Sequence, residues 1–287
     1  MTVSEHHDLV RPDATIRWWT GGAAGGRPIV LLHGATLDHR AWAPQAQVLQ
    51  QRFRLIMPDL RGHGESTGTF EFEAAVQDVL ALLDQQSAGR AVLIGQSLGG
   101  NLAQELVRCC PERVSAMVIA DATCNTATRH PLAATLTIAA LTTHAMLPGD
   151  HFARHAAQMI AVDPKVQQYA FDANAHRSNR ETVRILTSLL TGALHPAQDY
   201  RLPVPTLLVH GQLDHLGDIA LSTRAWAQRE PRAEYAVIPA AGHASNLDNP
   251  AAFTAALLAF LDRVLPPAHE ELPMPAEHDG HPGGRNG

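Results

Sequence analysis

Six residues, Gly95-Gln96-Ser97-Leu98-Gly99-Gly100, decide more about the architecture of this chain than any other stretch. They stand directly after an apolar run at 91–94 and directly before a helical pattern at 98–110 that Pro111 closes. A serine with glycine two residues to either side fits a strand-to-helix turn so tight that side chains at the flanking positions would collide. Such a turn lifts the serine hydroxyl above a sheet edge. It also demands a strand and a helix in succession, the unit from which parallel sheets are built.

The rest of the chain repeats that rhythm. Strands are expected at 14–20, 28–33, 53–57, 91–94, 114–120, 206–210 and 234–238, with helices at 41–51, 71–86, 98–110, 219–228 and 250–265. The last helix is well marked, because Asn249 can cap it and Pro250 suits its first position. Asp218 and Asp248 read as helix-start carboxylates that favour the positive end of the dipole. Alternation of this kind predicts a parallel sheet covered on both faces. Residues 21–26, rich in glycine, join two strands and therefore read as a hairpin turn; a phosphate cradle would have to open a helix.

Between about 124 and 203 the rhythm breaks. Only helical patterns occur there, interrupted at Pro131, Pro148-Gly149, Pro164 and near Ser178. The expected organisation is a core of residues 1–123 and 198–265, a helical cap at 124–197, and a disordered tail at 266–287 where Pro, Gly, His and acids dominate.

Bulk properties exclude several classes. With 45% hydrophobic and 17% charged residues the chain can bury a substantial core. The net charge of -6 is mild, with Glu270, Glu271, Glu277 and Asp279 all in the tail, and no basic stripe points to nucleic acid. Cys109, Cys110 and Cys124 are odd in number, so a reducing compartment is expected. Residues 1–13 are polar and lack the basic start and apolar run of a secretory signal, which predicts a cytoplasmic protein. No apolar stretch reaches the roughly 18 residues a membrane helix needs. His269-Glu270-Glu271-Leu272-Pro273 has proline where a zinc motif needs its second histidine, and no metal site is expected. No feature of the sequence speaks to self-association.

A serine hydroxyl is a poor nucleophile near neutral pH and needs a base, itself oriented by a third group. On a strand–elbow–helix scaffold the order is serine, acid, histidine. Gly211-Gln212-Leu213-Asp214 delivers a carboxylate after the strand at 206–210, and Ala240-Ala241-Gly242-His243 places a histidine after the last strand. Ser97, Asp214 and His243 are thus the expected catalytic residues. Asp121, after the strand at 114–120, competes for the acid role. His33, His63, His210 and His215 also lie near strand ends; His33 reads as a ring that braces its loop, and His215 comes too early. The oxyanion of acyl transfer needs preorganised donors, for which the backbone N–H groups of Leu98 and Ala35 are the candidates.

These motifs, together with Leu31-Leu32-His33-Gly34 and Asp59-Leu60-Arg61-Gly62-His63-Gly64-Glu65-Ser66, closely resemble the α/β-hydrolase superfamily over about residues 14–265. Within it the chain is most similar to the bacterial branch of 3-oxoadipate enol-lactonases, small carboxylesterases and cofactor-free haloperoxidases. The resemblance implies the α/β-hydrolase fold with a mostly parallel, eight-stranded sheet flanked by helices, a helical lid, no cofactor, and water as second substrate. Ser97 counts against dehalogenases and epoxide hydrolases of the same fold, which use aspartate. Two departures stand out: Gln96 occupies a position where His is commoner, and Asp214 is followed by His-Leu-Gly in place of a Pro-containing turn.

The cap would determine substrate choice. Its first helix carries Leu136, Ile138, Leu141 and Met146, which predicts a mostly apolar pocket for an uncharged or weakly charged ester or lactone; the same side chains could instead only pack cap on core. Arg129, Arg154, His155, His176, Arg177 and Arg180 are candidates for orienting a carboxylate, or form a solvated face. The leading expectation is hydrolysis of an ester or lactone through an acyl-enzyme. The alternatives are C–C bond hydrolysis or perhydrolysis by the same residues, and a non-catalytic binding protein that keeps the fold.

Overall fold

The computed structural model describes residues 5–128, 132–147 and 149–265. The expected tail at 266–287, its histidine-acid stretch at 269–273, Arg129 and the breaks at Pro131 and Pro148 lie outside them. Eight strands form one sheet: β1 (His6–Val10), β2 (Thr15–Gly21), β3 (Arg27–Leu32), β4 (Phe53–Pro58), β5 (Ala91–Gln96), β6 (Val114–Ala120), β7 (Thr206–Gly211) and β8 (Ala233–Ile238). Their order is β1-β2-β4-β3-β5-β6-β7-β8. The β1–β2 and β2–β4 pairs are antiparallel and all others parallel.

Period-two alternation explains how the sheet buries both faces. Val30, Leu32, Leu93, Met117 and Ile119 face one cluster, and Ile29, Leu31, Val92, Ile94, Val118 and Ala120 the other. The first cluster is covered by α2 (Phe72–Gln85), α3 (Leu98–Cys109) and α8 (Ile219–Arg229); the second by α1 (Ala43–Leu49) and α10 (Pro250–Val264). A short helix, α9 (Ser245–Asp248), precedes α10.

One sequence expectation is corrected and one strand is added. The glycine-rich stretch at 21–26 is not a hairpin turn, since β4 lies between β2 and β3. Its glycines serve close passage over the start of β4: Gly22 has φ +78, and a Cβ there would lie 2.0 Å from the Phe53 carbonyl oxygen. The polar N-terminal stretch, where the sequence marks no strand, contributes edge strand β1. Its side chains alternate between exposed and half-buried, so the strand carries no apolar run, and His7 stacks on Trp18 with ring centroids 4.5 Å apart.

Among the described residues four helices connect β6 to β7: α4 (Ala133–Ala145), α5 (His151–Ile160), α6 (Pro164–Asn174) and α7 (Asn179–Gly192). The breaks read at Pro164 and Ser178 are helix starts. Asp163 caps α6 by accepting the Lys165 N–H at 2.8 Å, and Ser178 with Glu181 forms a capping box on α7. α4 packs on α7 and α5 on α6, while α7 also rests on α2, where the Phe72 N–H donates to Ser188 Oγ at 3.0 Å. No helix among the described residues is long and apolar enough to cross a membrane.

Candidate active site

The turn between β5 and α3 holds Ser97 at φ +50, in the left-handed region where only close packing keeps a non-glycine residue. The packing is visible at its glycines. A Cβ on Gly95 would lie 2.2 Å from the Gly99 carbonyl oxygen, and one on Gly99 would lie 2.1 Å from that of Leu32. The Ser97 N–H donates to the Ala120 carbonyl at 2.8 Å, which fixes the turn to the end of β6.

Three strand ends converge on this serine. Ser97 Oγ lies 2.9 Å from His243 Nε2, and His243 Nδ1 lies 3.0 Å from Asp214 Oδ2. Asp214 Oδ1 accepts the Leu216 N–H at 2.9 Å, which fixes the carboxylate's rotation. With an ionised carboxylate at Nδ1 that nitrogen carries the proton, leaving Nε2 to accept from the serine hydroxyl. Burial works against charging His243, but the hydrogen bond and charge of Asp214, with the charge of Asp121 beyond, outweigh it and hold its pKa above the ordinary imidazole value. Gln96, the departure noted in the sequence, donates from Nε2 to the His243 carbonyl at 2.8 Å and so ties the serine turn to the histidine loop.

Asp121 is brought near but does not touch the imidazole. It accepts from the Gly211 N–H at 2.8 Å, the Ser245 N–H at 3.1 Å and Ser245 Oγ at 2.6 Å. Burial pushes its pKa up to about 7, against the pull of His243 and the Ser245 hydrogen bond. The other histidines have separate work. His33 accepts the Leu60 N–H at 3.0 Å and contacts the Gly34 carbonyl at 2.8 Å, bracing the loop; burial lowers its pKa. His210 is held by the Gly211 carbonyl and Tyr235, buried His63 by the Arg61 carbonyl, and His215 is exposed.

Of the two expected oxyanion donors, Leu98 directly follows the serine and Ala35 lines the same cavity as Ser97. Leu98 opens α3, where an N–H has no intrahelical acceptor, and Ala35 follows β3; neither N–H donates elsewhere among the described residues. Asp218 occupies the N-cap position of α8. Asp248 does not act as a helix-start carboxylate, because Asn249 caps α10 by accepting the Ala252 N–H at 3.2 Å. It binds instead the N–H groups of Gly242, Val162 and Asp163.

A cavity of about 400 Å³ opens above Ser97 and His243. Its walls include Leu141, Phe152, Met159, Ile160 and Leu186, from three of the four helices that join β6 to β7. Of the α4 residues expected in the pocket only Leu141 lines it. Leu136 and Met146 are 66% and 81% exposed, since α4 turns the stripe Thr137, Ala140, Leu141 and His144 inward. Among the described candidates for orienting a carboxylate, only His155 lines this cavity. Arg154 pairs with Asp150 at 2.7 Å, and Arg180 is exposed. His176 and Arg177 line a second, polar cavity of about 490 Å³.

That second cavity also holds Asp38, His39 and Asp59, whose ligand atoms lie within 4.8 Å of one another. Each of these residues already takes part in hydrogen bonds. Asp38 binds Arg40 at 2.6 Å and Tyr169 at 3.0 Å, and Asp59 binds the ring and N–H of His39 and the N–H of Glu65.

The pattern described as "Alpha/beta hydrolase family" matches residues 29–257. The chain is 30% identical over 266 residues to a pimeloyl-acyl-carrier-protein methyl ester esterase of Klebsiella pneumoniae, covering 86% of this chain and 98% of that one. It is 28% identical to the dihydrolipoyllysine-residue acetyltransferase component of an acetoin cleaving system of Pseudomonas putida, of which the match spans 66%, and 86% of this chain. The enol-lactonase of Burkholderia xenovorans LB400 superposes with a TM-score of 0.76 at 24% identity, covering 89% of this chain and 99% of that one. The chain belongs to the alpha/beta hydrolase family.

Proposed function

We propose that the protein hydrolyses a carboxylic ester or lactone bearing a mostly apolar acyl group through an acyl-enzyme on Ser97. The observation that carries this reading is the unbroken relay from Ser97 Oγ through His243 to Asp214, at 2.9 and 3.0 Å, on the floor of an apolar cavity. Ser97 attacks the carbonyl carbon as His243 Nε2 takes its proton. The oxyanion is received by the N–H groups of Ala35 and Leu98. Protonated His243, stabilised by Asp214, gives the proton to the leaving oxygen. Water then repeats the sequence and frees the acid. Residues 124–197 act as the cap that shields these steps from bulk water.

The esterase and lactonase names of the relatives support the same substrate class. The test is intact-protein mass spectrometry with a fluorophosphonate and a panel of acyl esters and lactones. A single adduct, lost in Ser97→Ala, with turnover of at least one panel member is expected. A folded wild-type protein that takes no adduct overturns the reading.

A further inference from the structure

The carboxylate of Asp248 joins two parts of the site that the relay itself does not connect. It stands five residues after His243, at the end of α9. Its Oδ2 accepts the N–H of Gly242 at 2.7 Å and that of Val162 at 2.9 Å. Its Oδ1 accepts the N–H of Asp163 at 2.9 Å and again that of Val162 at 3.1 Å. Val162 and Asp163 form the corner between α5 and α6, and Gly242 directly precedes His243. On the other side of the histidine, the Ala244 N–H donates to the Ile160 carbonyl at 2.7 Å. The corner is therefore bound to the residues on both sides of His243. The approach is close: a Cβ at 242 would lie 3.2 Å from both Asp248 Oδ2 and Val162 Cγ2, so these neighbours would have to give by a few tenths of an ångström.

The same corner ends in the acyl wall, because Met159 and Ile160 line the cavity above Ser97. We propose that Asp248 is a positioning residue that couples this wall to His243, so that an acyl chain long enough to press on Met159 and Ile160 is sensed at the proton relay. The proposal rests on the esterase reading above. Only a carboxylate fits the position: all three partners are N–H donors, and an amide would turn its own N–H₂ toward at least one of them. Asparagine should therefore disrupt the coupling although it preserves shape.

The experiment compares wild type with Asp248→Asn and the milder Asp248→Glu on p-nitrophenyl acetate and p-nitrophenyl octanoate, alongside hydrogen–deuterium exchange of 159–163 and 242–244. With Asp248→Asn, KM for the octanoate should rise about tenfold while that for the acetate stays within about threefold, the scale of one lost hydrogen bond acting on binding. Exchange should quicken in both segments together, and Asp248→Glu should recover part of each effect. Equal losses on the two esters, or faster exchange in only one segment, would overturn the coupling. If Asp248→Asn does not fold, the same two criteria apply to Asp248→Glu. A wild-type protein that takes no fluorophosphonate adduct and turns over neither ester, yet shows the linked exchange, would refute the esterase reading and leave the mechanical link standing.

Discussion

Replacing Asp214 with asparagine exchanges one oxygen for an amide nitrogen, and the surrounding bonds determine which. The Leu216 N–H donates to Oδ1, so the amide oxygen of the Asp214→Asn variant stays there and its N–H₂ group faces His243 Nδ1. The imidazole then carries its proton on Nε2, where it can no longer accept from the Ser97 hydroxyl. A charge is lost as well. Carboxylate and imidazolium centres about 4 Å apart interact by about 4 kcal/mol at an effective dielectric of about 20, close to a factor of 10³ in rate. With the tautomer penalty added, kcat/KM should fall by about 10³ to 10⁴. Both side chains are almost wholly buried, so solvent does not rescue the pair. Initial rates on a p-nitrophenyl ester and the fluorophosphonate labelling rate should fall together, with the fold retained by circular dichroism. A loss under tenfold, or an equal loss in Asp121→Asn, would refute the assignment of Asp214 as the orienting acid.

Further outcomes follow from the same geometry. Because His243, as the proposed base, must be neutral to act and its pKa is raised, kcat/KM should climb with pH to a plateau, with an apparent pKa above that of free imidazole; Asp214→Asn should bring the midpoint down. The stability that charged His243 gains from Asp214 is present at acidic pH and lost as pH rises through that pKa, which thermal melts of the two proteins would show. Gly99→Ala drives a Cβ against the Leu32 carbonyl and should cost about 3 kcal/mol or more, read as lost soluble yield or a melting temperature lowered by many degrees. Leu141→Asp should raise KM for long acyl esters about tenfold or more, whereas Leu136→Asp, on the exposed side of the same helix, should leave it unchanged.

How much of this was readable from sequence depended on whether the signal was local. The turn at Gly95–Gly100 announces itself because strand, serine, glycines and helix are contiguous, and the parallel sheet follows from alternating elements. The insertion of β4 between β2 and β3 is a long-range pairing, and nothing in residues 21–26 distinguishes a hairpin from a crossing. Strand β1 escaped because an edge strand with a solvated face carries no apolar run. Within the site, Ser97, Asp214 and His243 follow from order and strand ends. The tie from Gln96 to the His243 carbonyl, the α4 stripe and the bonds of Asp248 to Val162 and Asp163 join segments up to 147 residues apart, and no local pattern reports them.

Asp121 shows why proximity to the histidine does not by itself make an orienting acid. Its three donors come from Gly211, at the end of β7 and three residues before Asp214, and from Ser245, two residues after His243. It therefore aligns the two loops that carry Asp214 and His243 without touching the imidazole. Burial holds its pKa near 7, above the roughly 3.9 of an unfolded aspartate, so the folded state binds a proton the unfolded state releases. Its contribution to stability is full below about pH 4 and is lost as pH rises toward 7. Asp121→Asn has no such titration. The melting temperature of the variant relative to wild type should thus improve from pH 4 to 7 and level off above, while kcat/KM falls less than about tenfold because the relay through Asp214 persists. Melting curves that stay parallel across that range would mean that Asp121 is ionised throughout, with its three donors outweighing burial.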